Sequence, residues 1–299
     1  MQRGFTLIEM IFVVLISALL SIGGFKAFES LYIRSAKAKA ITDLSLQSQV
    51  VLNQLGVLVY NRIPNSVIGY DGSSSCEPIQ ELSSPKVVLE WLGLADDAML
   101  REEYDGFVDM NASAKPDLNT SNILNSLDSP DINLIFAGAF DDGTESIAAC
   151  SGAFGWHGND SDLSYDFSVS TANKIQFNPG DIPDVIYEKY YLSNGAYAVT
   201  RGEHVNHANF NSKCNRSDID TNAADFDNTL FLFYNYYPYK TPSQTYCGDG
   251  GDGNVTVLAK DVSGFQASYI NDAIRISIDM NRTIRGSSSV HVSKQKAVF

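Results

Sequence analysis

The apolar positions change rhythm twice along the chain. From Met10 to Phe25 there is no charged residue, and Phe5 to Phe25 supplies roughly the 20 residues that cross a bilayer. From Phe28 the pattern becomes periodic. Phe28, Leu31, Ile41, Leu44, Val51, Leu55 and Leu58 recur at spacings of one helical face, with small Ala36, Ala40 and Ser48 in the gaps. Pro64 is the first proline, so one helix from Phe5 to about Tyr60 is predicted.

Beyond it, residues 63–184 read as a variable, loop-rich segment, in which about Tyr70 to Asp162 is rich in Asp, Ser, Asn and Gly. An amphipathic helix is expected near 86–104, on Val88, Leu89, Trp91, Leu92, Met99 and Leu100, and a short strand at 132–136. Residues 185–299 alternate, which predicts antiparallel sheet. Val185–Thr200 reads as a hairpin turning at Ser193-Asn194-Gly195. Thr229–Tyr237 reads as a buried strand, residues 254–280 as about three more, and Val290–Val298 as the closing one. Ile274, Ile276 and Ile278 alternate with Arg275, Ser277 and Asp279, so one face is buried. The expected class is α+β: a long N-terminal helical spine on a C-terminal antiparallel β-sheet head. The expected segments are 1–4, 5–27 within a membrane, 28–62 as amphipathic continuation, 63–184 and 185–299.

With 299 residues, 44% hydrophobic and 19% charged, the chain is long and apolar enough for a sizeable core. The net charge of −14 argues against nucleic-acid binding, which needs clustered Lys and Arg. Lys294, Lys296, Arg282 and Arg285 make a small basic cluster, read as a solvated edge strand guarded by charge. Salt-dependent DNA binding by the isolated head would mark a DNA-uptake role. Cys76, Cys150, Cys214 and Cys247 contain no C-x-x-C pair. Behind an export-like segment they read as disulfides. Three pairings exist; sequential pairing, Cys76–Cys150 and Cys214–Cys247, suits two successive subdomains.

Glu9 interrupts the apolar run near its start. An acid inside an inserted helix costs up to about 2.5–3.5 kcal/mol, so neither a cleaved signal, with Ser21-Ile22-Gly23 as its cleavage site, nor a plain anchor has a use for it. Gly4-Phe5-Thr6-Leu7-Ile8-Glu9 resembles the processing motif of type IV prepilins and type II secretion pseudopilins. The resemblance implies cleavage after Gly4 by a prepilin peptidase and N-methylation of Phe5. It also implies that Glu9, fifth in the mature chain, meets the N-terminal amine of a neighbouring subunit during assembly. Other pilins or pseudopilins and the inner membrane are the implied partners, with the head in the periplasm and later in a filament. Positive-inside counting pulls the other way, since Lys26, Arg34, Lys37 and Lys39 follow the span and only Arg3 precedes it. The cysteines and the leader both favour export.

A weaker resemblance links both ends of the chain to J-type minor pseudopilins and W-type minor pilins. It rests on "LSLQSQVVLNQLGVLVYNRI" after the span, then "AKDVSGFQASY" and "AIRISIDM" near the end. Major pilins commonly carry proline where Lys26 stands, and K-type subunits usually lack the glutamate. The implied role is a minor subunit near a filament tip, an enzyme's substrate rather than an enzyme.

Two clusters invite metal readings. Glu203-His204 and His207 with Cys214 nearby do not have H-E-x-x-H spacing. Asp218, Asp220, Asn222 and Asp225 have the opening spacing of a calcium loop, but Ala223 stands where its glycine belongs and Thr229 where its final acid belongs. Calcium is a candidate there, against solvated turns; no other cofactor is expected. A periplasmic enzyme or ligand-binding protein behind a conventional signal is the competing class.

Overall fold

A computed structural model describes residues 7–71, 76–136, 138, 153–158, 161–171, 173–214, 216–284 and 288–299. Helix α1 runs without a break from Leu7 to Tyr60, 54 residues and about 81 Å at 1.5 Å per residue. It ends as the proline predicts, with the amide of Asn61 closing on the carbonyl of Val57 at 3.1 Å before the turn at Pro64-Asn65. Its buried residues are Ala40, Leu44, Ser48, Val51, Leu52, Leu55, Gly56 and Val59. The predicted stripe therefore divides. Leu44, Val51 and Leu55 are covered, while Phe28 and Leu31 are exposed because the head reaches back along the helix only to Ala40, and Ile41 is exposed because it lies off the covered face.

The strands are β1 (Ile68–Tyr70), β2 (Glu77–Pro78), β3 (Val88–Leu94), β4 (Asp117–Asn119), β5 (Asn133–Phe136), β6 (Phe167–Thr171), β7 (Lys174–Phe177), β8 (Tyr190–Arg201), β9 (Leu230–Tyr236), β10 (Asn254–Ala259), β11 (Val262–Ile270), β12 (Ala273–Ile284) and β13 (Ser288–Val298). Two short helices, α2 (Asp96–Leu100) and α3 (His207–Lys213), accompany them. The largest sheet has the order β10-β9-β8-β3-β1-β2, with β5 against the start of β8; β11-β12-β13 and β4-β7-β6 form two smaller sheets. All the pairings between these strands are antiparallel.

Three expectations are corrected. Residues 86–104 are not one helix. Val88 to Gly93 are all buried in β3, between β8 and β1, and only Asp96–Leu100 is helical. A short, continuous apolar run cannot be told from a buried helix by periodicity alone. Residues 185–200 do not fold as a hairpin, since β8 passes straight through Asn194-Gly195. Leu92 faces Ala196 and Leu94 faces Ser193, so Asn-Gly forms a bulge with Gly195 at φ 128°, flanked by partners that leave no room for a turn. Finally, the 63–184 region, though most of its described residues are irregular as expected, is not separate from the head. It supplies β1 to β7, and the pairing of β3 and β5 with β8 runs across the expected boundary at 184/185.

The main core lies where α1 meets β11-β12-β13 and the adjoining face of the large sheet. Leu44, Val51, Leu55, Trp91, Ile276 and Ile278 are all at most 2% exposed. The buried face of β12 is the one its alternation predicts. Lys294 and Lys296 are not solvated guards: Nζ of Lys294 donates to the carbonyl of Ser45 at 2.9 Å and Nζ of Lys296 to Oδ1 of Asn53 at 3.1 Å. A Cβ on Gly56 would lie 2.7 Å from the Lys296 ammonium, so the missing side chain leaves room for this clasp. Arg282 is held by Asp261, Nε to Oδ2 at 2.8 Å; Arg285 lies outside the described residues.

A second core, beyond the other face of the large sheet, includes Phe210, Phe226, Phe231 and Phe233. The Cys214–Cys247 disulfide pins α3 to it, with Cα atoms 5.0 Å apart. Cys76 is also disulfide-bonded, while Cys150 lies outside the described residues. The bridge closes a loop of 33 residues, so replacing both Cys214 and Cys247 by serine is expected to cost about 2–4 kcal/mol. Thermal unfolding of the variant against the oxidised parent checks this, and an unchanged midpoint would count against a stabilising bridge.

Candidate assembly site

The first half of α1 is a bare apolar rod. Leu7, Ile11, Val14, Leu19 and Ile22 are all more than half exposed, and the helix is long and apolar enough to cross a membrane. Glu9 sits in its first turn on the exposed surface. A carboxylate there is favoured by the partial positive charge of the helix N-terminus. Gly4 and Phe5 lie outside the described residues. Lys26, Arg34, Lys37 and Lys39 follow, ahead of the point where the head first covers the helix.

The second half of α1 has a feature that periodicity at one face overlooked. Leu46, Val50, Val57 and Tyr60 are each more than half exposed. At 100° per residue they cluster on the side of the helix opposite Leu44, Val51 and Leu55. A helix that is apolar on two opposing faces suits a position between two layers, and this chain supplies one of them. Beside the outer stripe runs a groove of about 650 Å³ between Gln54, Val57 and Leu58 of α1 and Leu232, Val257 and Leu258 of the sheet. The spacing 46, 50, 57, 60 was the available signal.

The described residues do not bring the metal candidates together. Both carboxylate oxygens of Asp218 bind Arg216, at 2.7 and 2.8 Å, and this pairing depresses the Asp218 pKa. Oδ1 of Asp220 accepts the Asn222 amide at 2.9 Å, and Asp225 is held by Lys260 at 2.7 Å. The four predicted calcium ligands are thus committed elsewhere or turned into local turns. No group of three or more His, Cys, Asp or Glu side chains converges as metal ligands among the described residues. Nor does the Glu203-His204 cluster. Glu203 pairs with Arg201, His207 approaches Asp227 at 3.4 Å, Cys214 is in its disulfide, and burial lowers the His204 pKa.

One buried acid escaped the sequence. Glu90, 1% exposed, lies in β3 and accepts a 2.6 Å hydrogen bond from the Tyr236 hydroxyl on its Oε2. His157 Nε2 approaches its Oε1 at 3.3 Å. The His157 ring stands edge-on to Tyr70, whose hydroxyl bonds that of Tyr246 at 3.0 Å. A lone acid in "VLEWLGL" was the signal.

Residues 1–25 match the family model described as the prokaryotic N-terminal methylation motif. None of the curated proteins and none of the solved structures compared with the chain gives a significant match. The chain therefore carries a prepilin-type N-terminus, the mark of prepilin-peptidase substrates of the pilin and pseudopilin type, on an α+β, pilin-like architecture.

Proposed function

We propose that this chain is a minor pilin or pseudopilin, cut after Gly4, methylated on Phe5 and assembled into a type IV pilus or secretion pseudopilus near its tip. One observation carries the reading: from Leu7 to Phe25 the methylation motif is part of α1, whose first half is bare while its second half is built into a β-rich head. In lipid or in a filament core the bare rod packs on equivalent helices. Glu9 would meet the positive N-terminus of a neighbour, which makes a carboxylate tolerable at that depth. The outer stripe of α1 would face the next layer. Lys26, standing where major subunits carry proline, and the similarity of residues 259–280 to J-type and W-type tails support a minor role. The Cys214–Cys247 bridge supports a periplasmic head.

The test is the intact mass and N-terminal sequence of the mature protein, from cells with and without a prepilin peptidase. A chain beginning at methylated Phe5, seen only with the peptidase, is expected. A chain beginning near Gly24 would sink the proposal and restore the conventional signal.

A further inference from the structure

Outside α1, eight large apolar side chains are exposed among the described residues, and six of them lie in one region: Leu100, Phe107, Met110, Leu124, Ile182 and Val185. They sit on two segments, 100–124 and 181–189, that the backbone joins. The amide of Val108 donates to the carbonyl of Glu188 at 2.8 Å, Phe107 bridges Lys189, and Nζ of Lys115 reaches the carbonyl of Asp184, while the Leu124 amide, donating to the carbonyl of Glu103 at 2.9 Å, closes the first segment on itself. The region has its own core, with Leu118, Ile123, Phe136 and Phe177 buried beneath. It lies at the far end of α1 from Glu9, since the Leu94 amide bonds the carbonyl of Asn61 at 3.0 Å and Asn61 touches Asp96.

The same region carries most of the charge. Residues 95–135 and 161–190 hold 14 acidic and 4 basic side chains, ten of the net −14. Two of the four cations are spent on neighbours within it, Arg101 on Glu103 and Lys174 on Asp117. Asp97, Glu102, Asp109, Asp184 and Glu188 are exposed among the apolar side chains. A monomer rarely shows clustered large apolar groups without a use for them.

We propose that this acidic, apolar surface docks a partner protein whose facing surface is basic. The charge selects the occupant. A second copy presenting the same surface would set carboxylate against carboxylate, which costs several kcal/mol. Anionic lipid surfaces and nucleic acid would be repelled by the same carboxylates. A basic protein surface gains long-range attraction from the carboxylates and buries the six apolar side chains on contact. The inference goes beyond the assembly reading, because it concerns the end of the molecule away from the filament helix.

The test places the photo-crosslinker p-benzoylphenylalanine at position 107 of the full chain in its own cells, with Met110 as a second position and Ile270, exposed but outside the region, as control. Irradiation is expected to yield an adduct at 107 or 110 and none at 270, joined to a partner segment of net positive charge. The double variant Asp109→Lys with Glu188→Lys is expected to cut the yield about tenfold, as is salt of about 0.5 M before irradiation. Unchanged thermal unfolding of the double variant shows that the fold is intact. An adduct between two copies, a partner segment without positive charge, a yield indifferent to charge reversal, or no adduct above the control would each overturn the proposal. The N-terminal mass of the same preparation tells failure of this surface apart from failure of the assembly reading.

Discussion

Replacing Glu9 by alanine is expected to leave cleavage after Gly4 intact and to reduce incorporation into filaments on the order of 50-fold. That factor corresponds to about 2.5 kcal/mol, the low end of the cost of an uncompensated charge at membrane depth. In the proposed assembly the acid and a neighbour's amine enter the apolar layer as a neutral pair. Without the acid, the amine is left there alone, and breaking one half of a buried pair costs more than the pair itself contributes. Glu9→Gln keeps the shape and removes the charge, so it is expected to behave like alanine. Filament fractions from cells expressing each variant, quantified against membrane-bound mature subunit, measure the effect. Normal incorporation of the glutamine variant would mean that packing, not charge, is what Glu9 supplies.

The second large effect is expected at Glu90. His157→Ala leaves a carboxylate that is almost fully buried with Tyr236 as its remaining close partner, and should cost about 3 kcal/mol. For a domain of this size that is a fall of roughly 6–12 °C in the unfolding midpoint. The pair also makes stability depend on pH. Burial alone would lower the His157 pKa, but the closeness of Glu90 and then the charge of Asp249 outweigh it, and the net shift is upward. The other titratable groups packed around the pair are Tyr70, Tyr236 and Tyr246, all pushed upward, burial first and Glu90's charge next. The folded state holds the His157 proton more tightly than the unfolded chain. This contribution is therefore full below the ordinary histidine pKa of about 6.5 and is lost as pH rises through the higher folded value. Denaturant midpoints across that window should fall with pH in the parent and less steeply in Glu90→Gln. Equal slopes in the two proteins would remove His157 from the account.

How far the fold could be read beforehand follows from what each segment packs against. The long helix was legible because an unbroken run, a 3.6-residue rhythm and Pro64 all agree. The C-terminal strands were legible because one face of β12 is wet, so alternation is visible. The buried strand β3 has no wet face and lost the signal that separates strand from helix. Asn194-Gly195 failed differently. Local turn propensity was overruled by two flanking strands that had partners ready on both sides. At the candidate site, Glu9 was conspicuous because it violates the pattern of its own segment. Asp218, Asp220, Asn222 and Asp225 share ligand-like spacing, but spacing could not show that Arg216, nearby in sequence, engages Asp218 and that distant Lys260 engages Asp225. The opposite stripe on α1 and the buried pair at Glu90 depend on knowing which side the head covers.

The continuity of α1 has a mechanical consequence. No proline interrupts it, and its last turns are fixed to the head by Leu55, Val59 and the Lys294 and Lys296 clasps. The 46 residues from Glu9 to Leu55 advance about 69 Å and come to rest about 280° around the axis. The helix thus acts as a crankshaft, in which residue count alone sets the compass bearing of the head relative to the charged foot. One residue inserted among 26–39 would swing the whole head by about 100° and lift it by about 1.5 Å, without disturbing a single contact inside it.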